Sequence, residues 1–315
     1  MRTTKNKKKS KRWLWITLSV IGILVLAVAG YAFSLFKSAT DTVATIHEQT
    51  KPGVTTPIAD LKKTKPPISI LLMGVDERSG DVGRSDSLIY ITVNPNKKSM
   101  EMVSIPRDTR TEIIGKGTVD KINHAYAFGG TDMAINTVKH FLNGLPVNYF
   151  VKVNMESFKD IVDAVGGVEV NNDLDFNYEG AHFAKGKLQL DGTNALGFSR
   201  MRYDDPRGDW GRQLRQREII EAVIKKGADI STITKFGDLF KVIQKDVKTN
   251  LTFDNMWDIQ ENYKDARNHL EQHQINGKGE KIKGIYYLSV PDKERLALID
   301  NLRANLELPA NTARN

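Results

Sequence analysis

The feature that most constrains this chain is an uncharged, apolar stretch near its N-terminus. Residues 13–36 contain no charged side chain, and their only serine and threonine residues are Thr17, Ser19 and Ser34. A helix of about 20 apolar residues spans a hydrocarbon core about 30 Å thick. Such a helix also satisfies its own backbone hydrogen bonds inside the lipid. The stretch therefore predicts one transmembrane helix over residues 13–36.

The residues around this stretch predict its orientation. Residues 1–12 contain seven basic and no acidic side chains, and Trp13, Trp15 and Tyr31 lie near the ends of the apolar stretch. Basic flanks stay in the cytoplasm, and aromatic rings favour the headgroup zone. We therefore expect a cytoplasmic basic tail over residues 1–12 and a single-pass type II protein of the cell membrane, with the rest of the chain outside.

A cleaved signal peptide is the alternative interpretation of the same stretch. Residues 27–29 (AVA) resemble a cleavage site of small residues. The apolar sequence continues to Phe36, however, and is longer than the apolar region of a typical signal peptide, which favours an anchor. Both interpretations place the remainder of the chain outside the cytoplasm.

Charge and cysteine content narrow the function classes. The formal net charge is +8, but seven of these charges lie in the N-terminal tail, so the exported part is nearly neutral. The basic character therefore reflects topology, and we expect no nucleic-acid partner. The chain has no cysteine, which excludes disulfides and cysteine-bound metals.

The exported part divides into a spacer and a folded domain. Residues 37–67 contain a Lys-Pro-Gly break at 51–53 and further prolines at 57, 66 and 67, so we expect a stalk that links membrane and domain. From residue 68 onward, short apolar runs alternate with helical periodicity. Strands are predicted over 68–74, 87–93, 99–105, 149–153, 168–170 and 285–290, and helices over 132–142, 155–165, 193–200, 212–226, 232–247 and 253–268. This alternation predicts one α/β domain over residues 68–315, with a central mixed β-sheet covered by helices on both faces.

Carboxylates cluster where the first predicted strand ends and the second begins. Asp76 follows the first strand, Asp86 precedes the second, and Asp81 lies between them. Ligands of open α/β sheets collect at strand ends, and two carboxylates there could hold Mg²⁺, which prefers oxygen ligands. The spacing fits neither an EF-hand nor a P-loop. From spacing alone, an ordinary solvated polar loop is the more frequent explanation.

Arginines follow in two further groups. Arg107 and Arg110 flank Asp108 at the end of the third strand, and residues 199–217 contain six arginines and no lysine. Guanidinium groups bind phosphate in a two-pronged fork, and the helix beginning near residue 211 offers a positive N-terminus to an anion. The alternative for both groups is a solvated surface of salt bridges with neighbouring aspartates.

No signature of a catalytic nucleophile is present. The sequence contains neither the Gly-x-Ser-x-Gly pattern of an α/β-hydrolase nor the His-Glu-x-x-His pattern of a zinc protease. The side chain of His124 is more often a hydrogen-bonded structural residue than a base. Phosphoryl transfer needs little covalent help from the protein, because positioning, a metal ion and arginines can carry most of it.

Several dispersed motifs, taken in order, resemble the LytR–CpsA–Psr family of cell-wall assembly proteins. They lie within residues 68–226, and two further segments at 234–238 and 251–256 resemble one branch of that family. The motifs are 72–76 (LMGVD), 84–87 (RSDS), 103–108 (VSIPRD), 121–126 (KINHAY), 163–168 (DAVGGV), 199–202 (SRMR) and 208–217 (GDWGRQLRQR).

The resemblance implies a transferase with a defined set of site residues. Such proteins move an anionic glycopolymer, such as wall teichoic acid, from an undecaprenyl-pyrophosphate carrier to a muramic acid hydroxyl of peptidoglycan, and form a phosphodiester. Mg²⁺, with Mn²⁺ as an alternative, is expected at Asp76 and Asp86. The expected catalytic residues are Arg107, Asp108, Arg200 and Arg202. The expected substrate-binding residues are Arg84, Arg107, Arg110, Arg200, Arg202, Arg212, Gln213 and Gln216.

Members of this family also bury a prenyl chain between sheet and helices, whereas periodicity alone cannot distinguish such a tunnel from a filled core. The competing function is a membrane-anchored protein that binds polyprenyl pyrophosphate, or regulates, without turnover. Direct DNA contact is not expected, because only about twelve residues precede the predicted anchor.

Overall fold

The computed structural model describes residues 37, 40–41, 43–77, 82–228 and 247–310, apart from the side chain of residue 156. The predicted tail and transmembrane helix over residues 1–36, and nearly all of the predicted helix over 232–247, lie outside these residues. Within the described ranges, no helix is long and apolar enough to cross a membrane.

The described residues form fourteen strands and seven α-helices with a defined range, in chain order, and the described positions among 37–46 are also helical. The strands are β1 Ile68–Val75, β2 Ser85–Asn94, β3 Ser99–Ile105, β4 Arg110–Ile113, β5 Thr118–Lys121, β6 Tyr149–Val153, β7 Val168–Asn172, β8 Phe176–Tyr178, β9 Ala181–Phe183, β10 Gly186–Leu190, β11 Lys248–Thr249, β12 Leu270–Gln274, β13 Lys278–Ile282 and β14 Ile285–Ser289. The helices with a defined range are α1 Leu61–Thr64, α2 His124–Phe141, α3 Met155–Ala164, α4 Gly192–Arg200, α5 Asp209–Ala228, α6 Phe253–Asn262 and α7 Asp292–Asn305, and a 3₁₀ helix spans Lys264–Asn268.

Six strands build the central sheet, in the order β11-β6-β1-β2-β3-β12. The pairs β1–β6 and β3–β12 are parallel, and the other three pairs are antiparallel. The second and third predicted strands are confirmed as β2 and β3, and they form an antiparallel hairpin with Asn94 opposite Ser99. The sheet is mixed, as predicted.

Alternating side chains of the sheet supply two apolar cores. On β1, Leu71 and Met73 face the core that includes α2 and α7, whereas Ile70 and Leu72 face the core that includes α5 and α6. Because successive side chains of a strand point to opposite faces, one apolar run serves both layers. The prediction of helices on both faces is confirmed.

A third core lies beside the sheet and supports the arginine-rich segment. Strands β7 and β10 pair with each other, as do β8 and β9, and they pack with α3, α4 and α5. The rings of Phe176 and Phe183 stack with centroids 4.9 Å apart, and Phe176 and Phe198 with centroids 5.8 Å apart. Since Phe198 belongs to α4, this core positions the end of α4 and the residues after it.

The prediction that residues 37–67 form a spacer is wrong for most of this segment, because apolar residues along it are buried in the domain. Val43, Ile46 and Val54 are buried, and Leu61 of α1 is only 1% exposed. The His47 backbone also forms an isolated parallel bridge with Thr249 of β11. These apolar side chains thus pack against the sheet and helices. The folded domain therefore begins at or before Val43.

Other differences concern short or polar elements. Helix α2 begins at His124 and contains non-helical geometry at Gly129 and Gly130, where φ of Gly130 is +64°, whereas the prediction began at residue 132. The predicted helix 253–268 is divided into α6 and the 3₁₀ helix. The hairpins β4–β5 and β8–β9 and the helix α7 were not predicted.

Candidate functional site

A bulge at the end of β1 brings the two predicted metal ligands to one point. The register between β1 and β2 shifts at Gly74 and Val75. The backbone N–H groups of Asp76 and Asp86 both donate to the Arg84 carbonyl oxygen, at 3.2 and 3.1 Å. The two carboxylate-bearing residues are therefore neighbours in space, as predicted, while Asp81 lies outside the described residues.

Gly83 makes this turn possible. Its φ is +71°, and a Cβ atom added there would lie 2.3 Å from the Asp76 carbonyl oxygen. Glycine populates positive φ without steric cost, whereas another side chain would push the Asp76 backbone away. The loop geometry that places Asp76 therefore depends on this residue.

Asp86 is held from two further chain segments. Its Oδ1 accepts from Arg107 Nη1 at 3.2 Å and from Asn123 Nδ2 at 3.1 Å. Arg107 follows β3, and Asn123 immediately precedes α2. Asn123 stands at the N-cap position but forms no side-chain cap hydrogen bond, and its buried Oδ1 has no hydrogen-bond partner among the described residues. Asn at an N-cap ordinarily bonds the first helical turn, so this side chain serves the cluster instead.

These oxygen atoms fit a hard cation that keeps several waters. The described residues contain no group of three or more His, Cys, Asp and Glu side chains that could hold a metal. A metal ion here would therefore rely on Asp76, Asp86 and other oxygens, among which the unpaired Asn123 Oδ1 is available. Mg²⁺ binds in this way, through one or two carboxylates, waters and substrate phosphate.

Helix α5 forms the opposite wall of a small pocket. Arg212 Nη2 lies 2.7 Å from Asp209 Oδ1, Gln213 Nε2 donates to Asp209 Oδ2 at 2.8 Å, and Ser87 Oγ donates to Gln216 Oε1 at 3.1 Å. The pocket is lined by Asp86, Ser87, Leu88, Ser104, Ile105, Arg107, Arg212, Gln213 and Gln216. The structure thus brings Arg107, Arg212, Gln213 and Gln216 to one pocket, as predicted.

Positive charge in this pocket lies on the partly buried guanidinium groups of Arg107 and Arg212. Burial opposes the charged form of Arg107, but the carboxylates of Asp86, Asp209 and Asp108 raise its pKa above the usual value. Arg107 therefore stays charged, and its partners are all carboxylates around the pocket.

The opposite balance holds for Arg212. Burial lowers its pKa, the positive charges of Arg107 and Arg202 lower it further, and Asp209 and Asp86 only partly compensate. The guanidinium groups of Arg107 and Arg202 thus both repel that of Arg212. Such an arrangement favours an anion, because its negative charge relieves the repulsion.

The other predicted residues divide into those near this pocket and those apart from it. Arg202 acts on Arg212 electrostatically, and its guanidinium carbon lies 4.8 Å from the Tyr203 ring centroid. Arg200 ends α4 with Nη1 3.8 Å from Glu179 Oε1, and it does not line the pocket.

Asp108, Arg110 and Arg84 also lie outside the lining. Asp108 Oδ1 accepts from Lys121 Nζ at 2.5 Å, and Oδ2 lies 3.9 Å from Arg107 Nε. Arg110 is exposed on β4, with its Cα opposite Lys121. Arg84 has an exposed side chain and contributes its carbonyl oxygen to the turn that joins Asp76 and Asp86.

Three of the six arginines in residues 199–217 have structural partners. Arg207 pairs with Asp173 and Asp205, at 2.5 and 3.0 Å. Arg215 pairs with Asp205. Arg217 donates to Ser104 Oγ at 2.9 Å and to Gln272 Oε1 at 3.0 Å. For these three, the interpretation as phosphate-binding groups is not supported.

Sequence reasoning missed several residues of this site. Asn123 was identified only as part of the motif at 121–126. Its role is visible only in the structure, where it precedes α2 but its side chain does not cap the helix. Asp209 was considered only as a neutralising charge, yet it orients both Arg212 and Gln213. Ser87 was also missed as the partner of Gln216.

Comparisons with known proteins show the family of this chain. The model of the LytR_cpsA_psr family matches residues 32–304. The chain is 55% identical over 307 residues to the polyisoprenyl-teichoic acid–peptidoglycan teichoic acid transferase TagU of Bacillus subtilis (strain 168), covering 98% of this chain and 100% of the relative.

Solved structures show the same fold. The crystal structure of B. subtilis TagU aligns with a TM-score of 0.64 and 54% identity, covering 78% of this chain and 98% of that chain. A structure of TagT bound to LIIa-WTA aligns with a TM-score of 0.67 and 28% identity, covering 83% of this chain and 94% of that chain. The order of the motifs, the family model and the structural likeness lead to one conclusion: this chain belongs to the LytR_cpsA_psr family.

Proposed function

We propose that this protein transfers an anionic glycopolymer, of the wall teichoic acid type, from an undecaprenyl-pyrophosphate carrier to a muramic acid hydroxyl of peptidoglycan. The relative TagU is named for this transfer from a polyisoprenyl carrier to peptidoglycan. The observation that carries the proposal is the pocket in which Arg107 and Arg212 meet Gln213 and Gln216, beside the turn that joins Asp76 and Asp86.

In this reaction the acceptor oxygen attacks the phosphorus that carries the polymer. A new P–O bond forms, the bridging P–O bond of the pyrophosphate breaks, and prenyl phosphate leaves with the bonding electrons. The hydroxyl proton is released to solvent. Negative charge shifts toward the leaving phosphate, and donors already aimed there stabilise that shift without reorganising.

The residues of the pocket divide this work. Arg107 and Arg212 are buried enough to act as fixed, forked donors to phosphate oxygens, and Arg202 adds charge at the rim. Asp76, Asp86 and the Asn123 amide oxygen would hold Mg²⁺, for which Mn²⁺ could substitute; such an ion neutralises part of the pyrophosphate charge when bound. Gln213 and Gln216 orient the substrate through neutral hydrogen bonds.

We also propose the type II topology. The basic tail and the uncharged stretch over residues 13–36 support a domain on the outer side of the cell membrane, where both the lipid carrier and peptidoglycan are accessible. A reporter enzyme fused after Asn315 should be active only outside the cytoplasm, and activity inside would contradict this topology.

The test of function is turnover by the full-length protein in detergent–lipid micelles. With a synthetic prenyl-pyrophosphate donor, a peptidoglycan acceptor and Mg²⁺, we expect release of prenyl phosphate. The Arg107→Lys variant keeps the charge but loses the fork, and it should lose on the order of tenfold or more in rate, since 1.36 kcal/mol of barrier is a factor of about ten. Arg295→Lys is a matched control, because its partner is Asp292, in the first turn of α7.

The same assay separates an enzyme from a binding or regulatory protein. A protein that only binds the carrier would retain the lipid and release no prenyl phosphate at any Mg²⁺ concentration. Normal rates for Arg107→Lys would show that the pocket is a charged surface and not the site of transfer.

A further inference from the structure

An exposed tryptophan lies next to the place where the chain enters the domain. Trp257 of α6 is 53% exposed, and its ring stacks on Phe253 with centroids 6.5 Å apart. Phe253 and Met256 pack in turn against the buried Val43. Trp257 is therefore separated from Val43, the first buried residue among those that the structure describes, by a single layer of side chains.

The chain that precedes Val43 is short compared with the domain. Val43 lies six residue steps after Lys37, the first charged residue after the uncharged stretch. Fully extended, they reach at most about 21 Å, and as a helix about 9 Å. The described positions among 37–46 are helical, which favours the shorter value.

A folded unit of roughly 270 residues has a radius of gyration of about 18 Å and is thus more than about 40 Å across. As a helix, the tether of about 9 Å is less than a quarter of this width. If residues 13–36 span the membrane, the surface around Val43 must therefore face the headgroups, and other faces of the domain cannot reach them.

The chemistry of that surface fits the interface of a lipid bilayer. Trp257 is joined there by the exposed lysines of α1 and its C-terminal end, Lys62, Lys63 and Lys65. A groove between α1 and α6 also contains the carboxylates of Asp60, Asp254 and Asp258, so the surface is close to neutral. Attraction to anionic lipid is therefore small, and an amphipathic indole ring, which favours the headgroup zone, supplies the affinity.

We propose that the Trp257 face, formed by Trp257, Phe253 and the lysines of α1, rests on the outer surface of the bilayer that holds the protein's own anchor. Trp257 inserts among the headgroups and fixes the orientation of the domain. This inference depends on the proposed topology but not on the proposed chemistry, and it does not require turnover.

The absence of cysteine in the chain allows a direct test with the full-length protein in lipid nanodiscs. A single cysteine replaces Glu261, which is exposed one turn after Trp257 on the same face of α6, and carries an environment-sensitive fluorophore. The matched control is a cysteine at Val119, which is 50% exposed on β5. The β4–β5 hairpin packs on α2, across the sheet from α6, where the Ile114 N–H donates to Thr137 Oγ1 at 3.2 Å.

We expect a quencher attached to shallow lipid acyl positions to remove most of the fluorescence at position 261 and little at position 119. In the same background, Trp257→Ser should restore most of the signal at 261 with unchanged thermal unfolding, because the ring is half exposed. The quenching should change little when anionic lipid is replaced by zwitterionic lipid.

Three results would overturn the proposal. Equal weak quenching at both positions would show that this face does not contact the bilayer. Quenching at 261 that survives Trp257→Ser would assign the contact to the tether alone. Failure of the full-length chain to enter nanodiscs would refute the topology on which the inference rests, while transfer activity could be measured independently.

Discussion

Removal of the Asp205 charge should destabilise the segment that carries the candidate arginines. Asp205 Oδ2 accepts from Arg215 Nη1 at 2.6 Å, and the two side chains are 0% and 1% exposed. Arg215 also donates to the backbone carbonyls of Phe198 and Met201. This buried pair therefore joins α5 to the end of α4 and to the residues that follow it.

The size of the effect can be obtained in two ways. Removal of one partner of a buried ion pair costs about 3–5 kcal/mol, because the other charge remains buried and unpaired. Burial alone would raise the pKa of Asp205, but hydrogen bonds from Arg207 and Arg215 lower it from 3.8 to about 2, which corresponds to roughly 2 kcal/mol at 1.36 kcal/mol per unit. The second value covers protonation only, so we expect Asp205→Asn to lose about 3 kcal/mol.

Thermal and urea unfolding of the full-length protein in detergent measure this loss. A loss of 3 kcal/mol corresponds to a fall in Tm of about 10 °C for a domain of this size. Asp204→Asn is the matched control, because Asp204 is exposed and a surface substitution stays within about 0.5 kcal/mol. Equal small losses for both variants would refute the assignment of Asp205 and Arg215 as a stabilising pair.

The pH dependence tests the same pair independently. Because the pKa of Asp205 is lower in the folded state, its contribution is complete above the unfolded pKa of about 4 and is lost as pH falls toward 2. The stability difference between wild type and Asp205→Asn should therefore narrow over this interval. A difference that stays constant between pH 5 and pH 2 would contradict the proposed role of the charge.

Three further predictions concern the site. Arg202→Lys should lower the transfer rate by on the order of tenfold. Arg200→Lys should lower it less, because the Arg200 guanidinium lies near Glu179; an equal effect would place both arginines at the substrate. Asp86→Ala should abolish Mg²⁺-dependent transfer while the fold persists, which circular dichroism checks, and turnover at the wild-type rate would remove Asp86 from the site. Gly83→Ala should weaken Mg²⁺ affinity in a titration, because its Cβ would displace the Asp76 backbone; unchanged affinity would mean that this turn does not position the metal.

The first strand of the central sheet could be predicted from the sequence because its side chains are apolar on both faces of the sheet. Leu71 and Leu72 are adjacent in β1 but belong to opposite cores, and such a run has few alternatives to a buried strand. Short elements such as β12, with the sequence LEQHQ, lack this signal. They become strands because a neighbouring edge, here β3, supplies their hydrogen bonds.

The spacer was predicted incorrectly for a related reason. Prolines and polar residues dominate residues 47–67, and composition alone indicates a loop. Val54 and Leu61 are nevertheless buried, because each packs into one of the two cores of the sheet. Composition does not show this, since the burial of an isolated apolar residue depends on surfaces that are distant in sequence.

The arginines show most clearly where sequence reasoning ends. Arg212, Arg215 and Arg217 lie within two turns of α5, and side chains at these spacings leave a helix in different directions. Arg212 lines the pocket, Arg215 enters the third core, and Arg217 reaches Ser104 on β3. Spacing can show that these side chains point in different directions. Only the packing of α5 against the sheet decides which of them lines the pocket. The function of this segment is therefore set by how α5 is rotated on the sheet, and the buried Asp205–Arg215 pair is one of the contacts that fixes that rotation.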